Sequence, residues 1–186
     1  PKGAIGTDGF YVNKGVGVKV KPPQGEGWEM TQEPAKPPIG PTPLLEARAG
    51  EDRGSFVVAQ QAMPMQVSAE MLPMVIDMGL PMQVKGFKKL KGESITTNEK
   101  KGYEVEYTGS VGGQELHVLQ RVYLYGSEML VVAGTTRASD WEKHGKAIRE
   151  AMSSVGFIPK EAQPEKKEAK TAAPAPAPKD DGILKE

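Results

Sequence analysis

Between Gly102 and Thr136 apolar and polar residues alternate with a period of two. The segments "GYEVEYTGSV", "QELHVLQRVYLYG" and "EMLVVAGTT" are rich in Tyr, Val and Leu, which suit a pleated strand. Gly112-Gly113 and Gly126-Ser127 separate them as two-residue hairpin turns, predicting an antiparallel meander. The later strands are apolar on both sides. Leu116, Val118, Val122 and Leu124 point one way; Leu119, Tyr123 and Tyr125 point the other. A sheet wet on one face alternates more cleanly, so both faces are expected to be covered. Register counted from the two turns sets Glu104 opposite Arg121 and Thr108 opposite His117. It gathers Glu106, His117, Arg121 and Tyr123 on one face.

After Thr136 the period lengthens. In "ASDWEKHGKAIREAMSSVGF", Trp141, His144, Ile148, Ala151, Met152 and Val155 recur at helical spacing as one apolar stripe. Ser139 and Glu142, three apart, read as a capping box, and Gly156 reads as a left-handed stop. A helix is predicted over about 140–155. Before the meander, "FKKLKGESITT" reads as a strand entering it, and "FYVNKGVGVKV", "GSFVVAQQAM" and "LLEARAG" read as further strands. "EPAKPPIGPTP", with five prolines in eleven residues, is expected to be a loop.

A third pattern occupies Met63 to Gln83, which holds six of the nine methionines. Met71, Met74 and Met78 lie three and four apart and share one helical face with Val67 and Val75. Ser68 or Pro73 would start this helix and Gly79 would end it before Pro81. Three roles fit the stripe. The plainest is packing against the sheet, because Met fills irregular gaps. The second is an exposed, adaptable surface for a partner. The third is a Cu(I) thioether site using Met63, Met65 and Met71, although no His or Cys lies nearby in sequence to complete it.

Composition narrows the functional classes. Lys plus Arg equals Asp plus Glu at 24 each, so no net field draws nucleic acid or an anionic membrane. The lysines of "KGFKKLKG" and "NEKKG" read as protection of a strand edge. There is no cysteine, which excludes disulfides, thiolate nucleophiles and Cys-ligated metals. "GVGVKV" lacks the third glycine and the following helix of a dinucleotide loop, and no phosphate loop, nucleophile elbow or zinc-protease helix occurs. Glu106 and His117 are the remaining chemical candidates, as a divalent-metal pair or part of an acid–base pocket. A cross-strand ion pair beside a solvated histidine is the simpler alternative. His144, on the apolar stripe, reads as a packed histidine.

From Pro159 onward the text is "PKEAQPEKKEAKTAAPAPAPKDDGILKE", almost without large apolar residues. Such a segment cannot bury enough surface to offset its ordering entropy. Residues 1–9 are expected to be flexible, 10–158 to form a single α/β sandwich domain, and 159–186 a disordered tail. A plain disordered tail is the simpler reading; the sharper one is a tether with Ile183 and Leu184 as a small docking tip. The chain opens on Pro1 rather than Met, which suggests that an N-terminal segment such as a signal or lipoprotein leader was removed.

Taken together, "KPPQGEGW" after an early strand, "LPMVIDMGL" before the meander, and the closing "TTRASDWEKHGKAIREAMSSVGF" resemble the PsbP-like fold. That family contains extrinsic photosystem proteins, bacterial exported lipoproteins and secretion chaperones. The resemblance spans about Phe10 to Pro159. It implies an α/β (α+β) class: an antiparallel sheet sandwiched by helices, binding or stabilising other proteins without catalysis.

The expectation is therefore a non-enzymatic accessory subunit, needing no cofactor and exported to the periplasm or cell surface. It is expected to dock to a larger protein assembly through the methionine helix (Met71, Met74, Met78), the sheet edge or the proline loop, with the Ile183–Leu184 tip reaching a neighbour. It takes no nucleic acid or identified small-molecule substrate, and a removed leader leaves membrane anchoring open. Two alternatives remain: a cytoplasmic secretion chaperone cradling apolar segments in a Met-rich groove, and a Met-based copper or other metal-handling protein.

Overall fold

The Gly112-Gly113 turn organises the structure. Both glycines have positive φ, +59° and +83°, as a tight hairpin turn requires. Pairing then runs outward from Val111–Gln114 without a slip, placing Glu104 against Arg121 and Thr108 against His117 as the sequence predicts. In this computed structural model, residues 3–25, 27–32, 34, 40–50, 53–63, 67–125 and 128–159 are described.

In chain order the described elements are β1 (Ala4–Ile5), β2 (Tyr11–Asn13), β3 (Val18–Val20), β4 (Trp28–Gln32), β5 (Thr42–Ala49), β6 (Gly54–Ala62), α1 (Leu72–Gln83), β7 (Lys85–Thr97), β8 (Lys100–Val111), β9 (Gln114–Tyr125), β10 (Glu128–Arg137), α2 (Trp141–Ser153) and β11 (Gly156–Phe157). A 3₁₀ turn, Ala138–Asp140, leads into α2. The large sheet is antiparallel in the order β4-β5-β6-β10-β9-β8-β7, and the small one runs β1-β2-β3-β11.

Two apolar clusters lie on opposite faces of the large sheet. On one face Leu119, Tyr123, Leu130, Val132, Phe56 and Val58 meet the small sheet and the inner stripe of α2. On the other, Tyr103, Val105, Tyr107, Val118 and Val122 meet Leu72 and Val84 at the two ends of α1. The two-sided alternation of the meander thus produces an α/β/α arrangement, as expected.

Several local readings are corrected. "FYVNKGVGVKV" is a hairpin, not one strand. Asn13 turns the chain: its side-chain oxygen accepts from Val16 N–H (3.0 Å) and its carbonyl accepts from Gly17 N–H (2.7 Å), with Gly17 at φ +80°. The last residues of the proline-rich loop, Thr42 and Pro43, belong to β5, because a register shift between Pro43 and Leu45 accommodates the missing donor. No side-chain hydrogen bond caps α2, so the Ser139–Glu142 box does not form; Ser139 lies in the 3₁₀ turn. Gly156 is not a left-handed stop but the start of β11, paired with Lys19 of β3. Helix α1 runs on through Gly79 and Pro81. Residues 4 and 5 pair with β2, Gly126-Ser127 lies outside the described residues, and so does the tail beyond 159.

Helix α2 sits so close to β10 that a Cβ on Gly134 would lie 2.1 Å from Ile148 Cγ2. A Cβ on Gly79 of α1 would meet nothing within 4 Å. Gly134→Ala is expected to destabilise the fold by ~1–3 kcal/mol through overpacking. Gly79→Ala should stabilise it by ~0.5–1 kcal/mol through helix propensity. Urea denaturation of the two variants checks both signs.

Candidate functional site

Sequence reasoning singles out two places: the charged cluster on β8 and β9, and the methionine helix. Alternation puts Glu104 and Glu106 of β8 and His117 and Arg121 of β9 on the face beneath α2. Buried charges need partners, and each has one. Arg121 Nε donates to Glu104 (2.6 Å), and its Nη1 donates to the Met152 carbonyl at the end of α2 (2.8 Å). Glu106 Oε1 lies 2.7 Å from His117 Nε2 and accepts from Arg149 Nη2, also at 2.7 Å. The His117 ring stacks on Trp141, 3.7 Å apart and 4° from parallel, while the Arg149 guanidinium lies over the same indole at 5.3 Å.

His117 is therefore not solvated, contrary to the simpler sequence reading; its side chain is 12% exposed. Trp141, on the apolar stripe as the sequence predicts, covers the imidazole. The cluster ties α2 to the sheet at Met152, Arg149 and Trp141. As a metal pair, Glu106 and His117 already spend the shared carboxylate oxygen on each other and on Arg149. Burial opposes ionisation of Glu106, but the bonds from Arg149 and His117 outweigh it and hold its carboxyl below the usual range. His144 is packed, as expected, edge-on to Trp28. Burial, then the nearby Lys143, lowers its pKa.

The methionine helix reverses its plainest reading. The stripe that packs on the sheet is Leu72, Ile76 and Leu80, four residues apart, with Val84 just beyond. Met71, Met74 and Met78 do not face the sheet: they are 40%, 53% and 67% exposed, and Met82 extends the ridge at 87%. At 100° per residue the two stripes point roughly oppositely. The helix is apolar around its circumference, so periodicity alone could not choose the buried side. Asp77 adds a polar peg, bonded to Lys89 Nζ at 2.6 Å and accepting from the Tyr103 hydroxyl at 3.1 Å. Met82 is the functional candidate that sequence reasoning missed; its signal was the i+4 continuation of Met78 past Gly79 and Pro81. Of the copper candidates, Met63 lies before α1, Met71 at its start, and Met65 outside the described residues; Ile183 and Leu184 also lie outside them.

Beside α1, β7 forms the sheet edge, with register shifts at Lys85/Lys88 and Lys89/Lys91 and lysines along it. Bulges and lysines blunt a strand edge against pairing with another chain, in line with the sequence reading.

No family model and no curated protein matches the chain in sequence. Among solved structures it is similar to PsbP (CyanoP) of Synechocystis sp. PCC 6803, at 15% identity and a TM-score of 0.55, covering 80% of this chain and 91% of that one. The chain has a PsbP-like fold. LpqN of Mycobacterium tuberculosis superposes with a TM-score of 0.57 at 13% identity, covering 76% and 83% of the two chains. PA94 of Pseudomonas aeruginosa, a protein of unknown function, gives 0.52 at 19%, covering 75% and 87%. These likenesses carry the fold alone, at identities too low to carry site residues.

The two shifted groups make stability depend on pH in separate windows. His144 has a lowered folded pKa, so as pH falls below its ordinary 6.5 the unfolded chain takes the proton first and stability declines. Glu106 is also lowered; its contribution is complete above the ordinary value of 4.5 and is lost as pH falls through the folded value. Urea midpoints measured from pH 8 to 3 should fall in both windows. Glu106→Gln should cost about 1–3 kcal/mol at neutral pH and flatten the lower limb; His144→Gln should flatten the upper one.

Proposed function

We propose that this protein is a non-enzymatic accessory subunit that docks to a larger protein assembly through the outer ridge of α1. The observation that carries the reading is the direction of Met71, Met74, Met78 and Met82, which stand in solvent while leucine and isoleucine hold the helix down. Exposed apolar surface is favourable to cover, at roughly 25 cal/mol per Å², and a row of flexible thioethers adapts to varied partner shapes. Helix-in-groove docking uses anchors at i, i+3, i+4 and i+7, the positions that Met71, Met74, Val75 and Met78 occupy on the exposed side.

The ridge is the crest of a helix and therefore convex. That shape suits insertion into a partner's groove better than cradling a client, which favours the docking reading over a chaperone. A thioether metal site needs its sulfurs to converge, and sulfurs along a crest diverge. The charged cluster beneath α2 supports a non-catalytic reading, since its hydrogen bonds go to α2 and to one another.

Export to the periplasm or cell surface is part of the proposal. Absence of cysteine is compatible with it, and LpqN, of like fold, is described as involved in cell envelope biogenesis. Among the described residues no helix is long and apolar enough to cross a membrane. The Ala-Pro-rich composition of residues 159–186 supports a tether, with Ile183 and Leu184 as its apolar tip.

A photo-crosslinking residue at position 78 in native cells should yield one discrete protein adduct, and the same residue at position 142, on the outer side of α2, should not. Met74→Ser with Met78→Ser and Met82→Ser should abolish that adduct while changing stability by less than about 1 kcal/mol. Adducts identical at both positions, or none at 78, would contradict the reading.

A further inference from the structure

The chain has no cysteine. Its readiest targets for a two-electron oxidant are therefore its thioethers. Four of the nine methionines form the outer ridge of α1: Met71, Met74, Met78 and Met82. Their spacing of three, four and four residues sets neighbouring sulfurs about one helical turn apart. Exposure rises along the row and is greatest at Met82. Elsewhere, Met30 is exposed on the edge strand β4, Met129 is half-buried beside the second apolar cluster, and Met152 is buried.

The contacts that fasten α1 to the sheet lie on the other side of the helix. Leu72, Ile76 and Leu80 supply the apolar contact. Asp77 supplies the polar one, through Lys89 and the Tyr103 hydroxyl. Oxygen added to the ridge therefore alters the surface and leaves the packing alone. The same change at a buried methionine would be disruptive, because a sulfoxide is polar and burying it without a donor is unfavourable. The fold thus separates the sulfurs an oxidant reaches from the side chains that hold the helix.

We infer that the methionine row of α1 is a reversible oxidation site that switches the ridge between an apolar and a polar state while the fold stays intact. The oxidant is a peroxide. A sulfur lone pair attacks one peroxide oxygen, an S–O bond forms and the O–O bond breaks. The other oxygen leaves as water, taking the proton of the transferred oxygen. Sulfur gives up two electrons and the peroxide accepts them. A methionine sulfoxide reductase reverses the step: a dithiol supplies two electrons, becomes a disulfide, and the oxygen departs as water. Each sulfoxide carries a hydration shell that a groove shaped for thioethers must strip. Oxidation therefore releases a partner docked on the ridge. That release rests on the docking reading above; the oxidation site itself does not.

The test compares the full chain when reduced, when treated with hydrogen peroxide, and when repaired by methionine sulfoxide reductases for both epimers with dithiothreitol. Peptide mass spectrometry should find sulfoxide at Met82 and Met78 first and at Met152 last. The urea midpoint should hold steady, while retention on a phenyl column falls on oxidation and returns on repair. A photo-crosslinking residue at position 75, exposed on the same side of α1, keeps every ridge methionine. In native-cell extract its adduct should drop about tenfold or more on oxidation and recover on repair. The combined Met71→Leu, Met74→Leu, Met78→Leu and Met82→Leu variant keeps the ridge apolar without its sulfurs, and its retention and adduct should ignore peroxide. Met30→Leu should respond as the unaltered chain does. A urea midpoint that falls with ridge oxidation, retention that does not change, or a leucine variant that still responds overturns the inference. An adduct that survives oxidation overturns the release and leaves docking standing; no adduct from the reduced protein overturns docking, and the release with it.

Discussion

Strands β9 and β10 carry apolar residues on both faces, and the rest of the architecture follows from that constraint. A two-sided sheet cannot leave either face in water, so each recruits a layer. The small sheet and α2 close one side, where Gly134 of β10 leaves room for Ile148 of α2. Helix α1 closes the other, but its twelve residues lie over β7 and β8 and do not reach β5 and β6. The consequence is an apolar helix with one buried side and one exposed side.

The same alternation explains how the charged residues find their partners. Glu104, Glu106, His117 and Arg121 occupy positions facing α2, where an unpaired charge would be strongly destabilising. Each is matched to another or to α2, through the Met152 carbonyl and Arg149. The stacked Trp141 seals one face of the imidazole. Removing one partner from such a set is more damaging than the net worth of the pair, because the remaining charge stays buried.

What could be read from sequence depended on whether one local signal had one physical outcome. A two-residue Gly-Gly turn allows a single register, so the Glu104–Arg121 and Thr108–His117 pairs were legible before the fold was seen. The stripe of α2 was legible because its opposite face is polar. Helix α1 has no polar face, so its two apolar stripes compete and only tertiary contact decides. The branched Leu72, Ile76 and Leu80 fill the sheet side, leaving the unbranched methionines outside. Proline misled twice: Pro43 sits at a bulge and Pro81 within a helix. Strand β4, "WEMTQ", was missed because four of its five residues are exposed and it forms an edge.

The central claim is that the thioethers of α1 stand in solvent while leucine and isoleucine hold the helix to the sheet. Hydrogen peroxide oxidation of the native protein, read residue by residue by mass spectrometry, tests it most directly. Met78 and Met82 should oxidise at rates close to free methionine, whereas Met152, 1% exposed on the buried side of α2, should resist until the protein unfolds. Protection of Met78 and Met82 equal to that of Met152 would contradict the account.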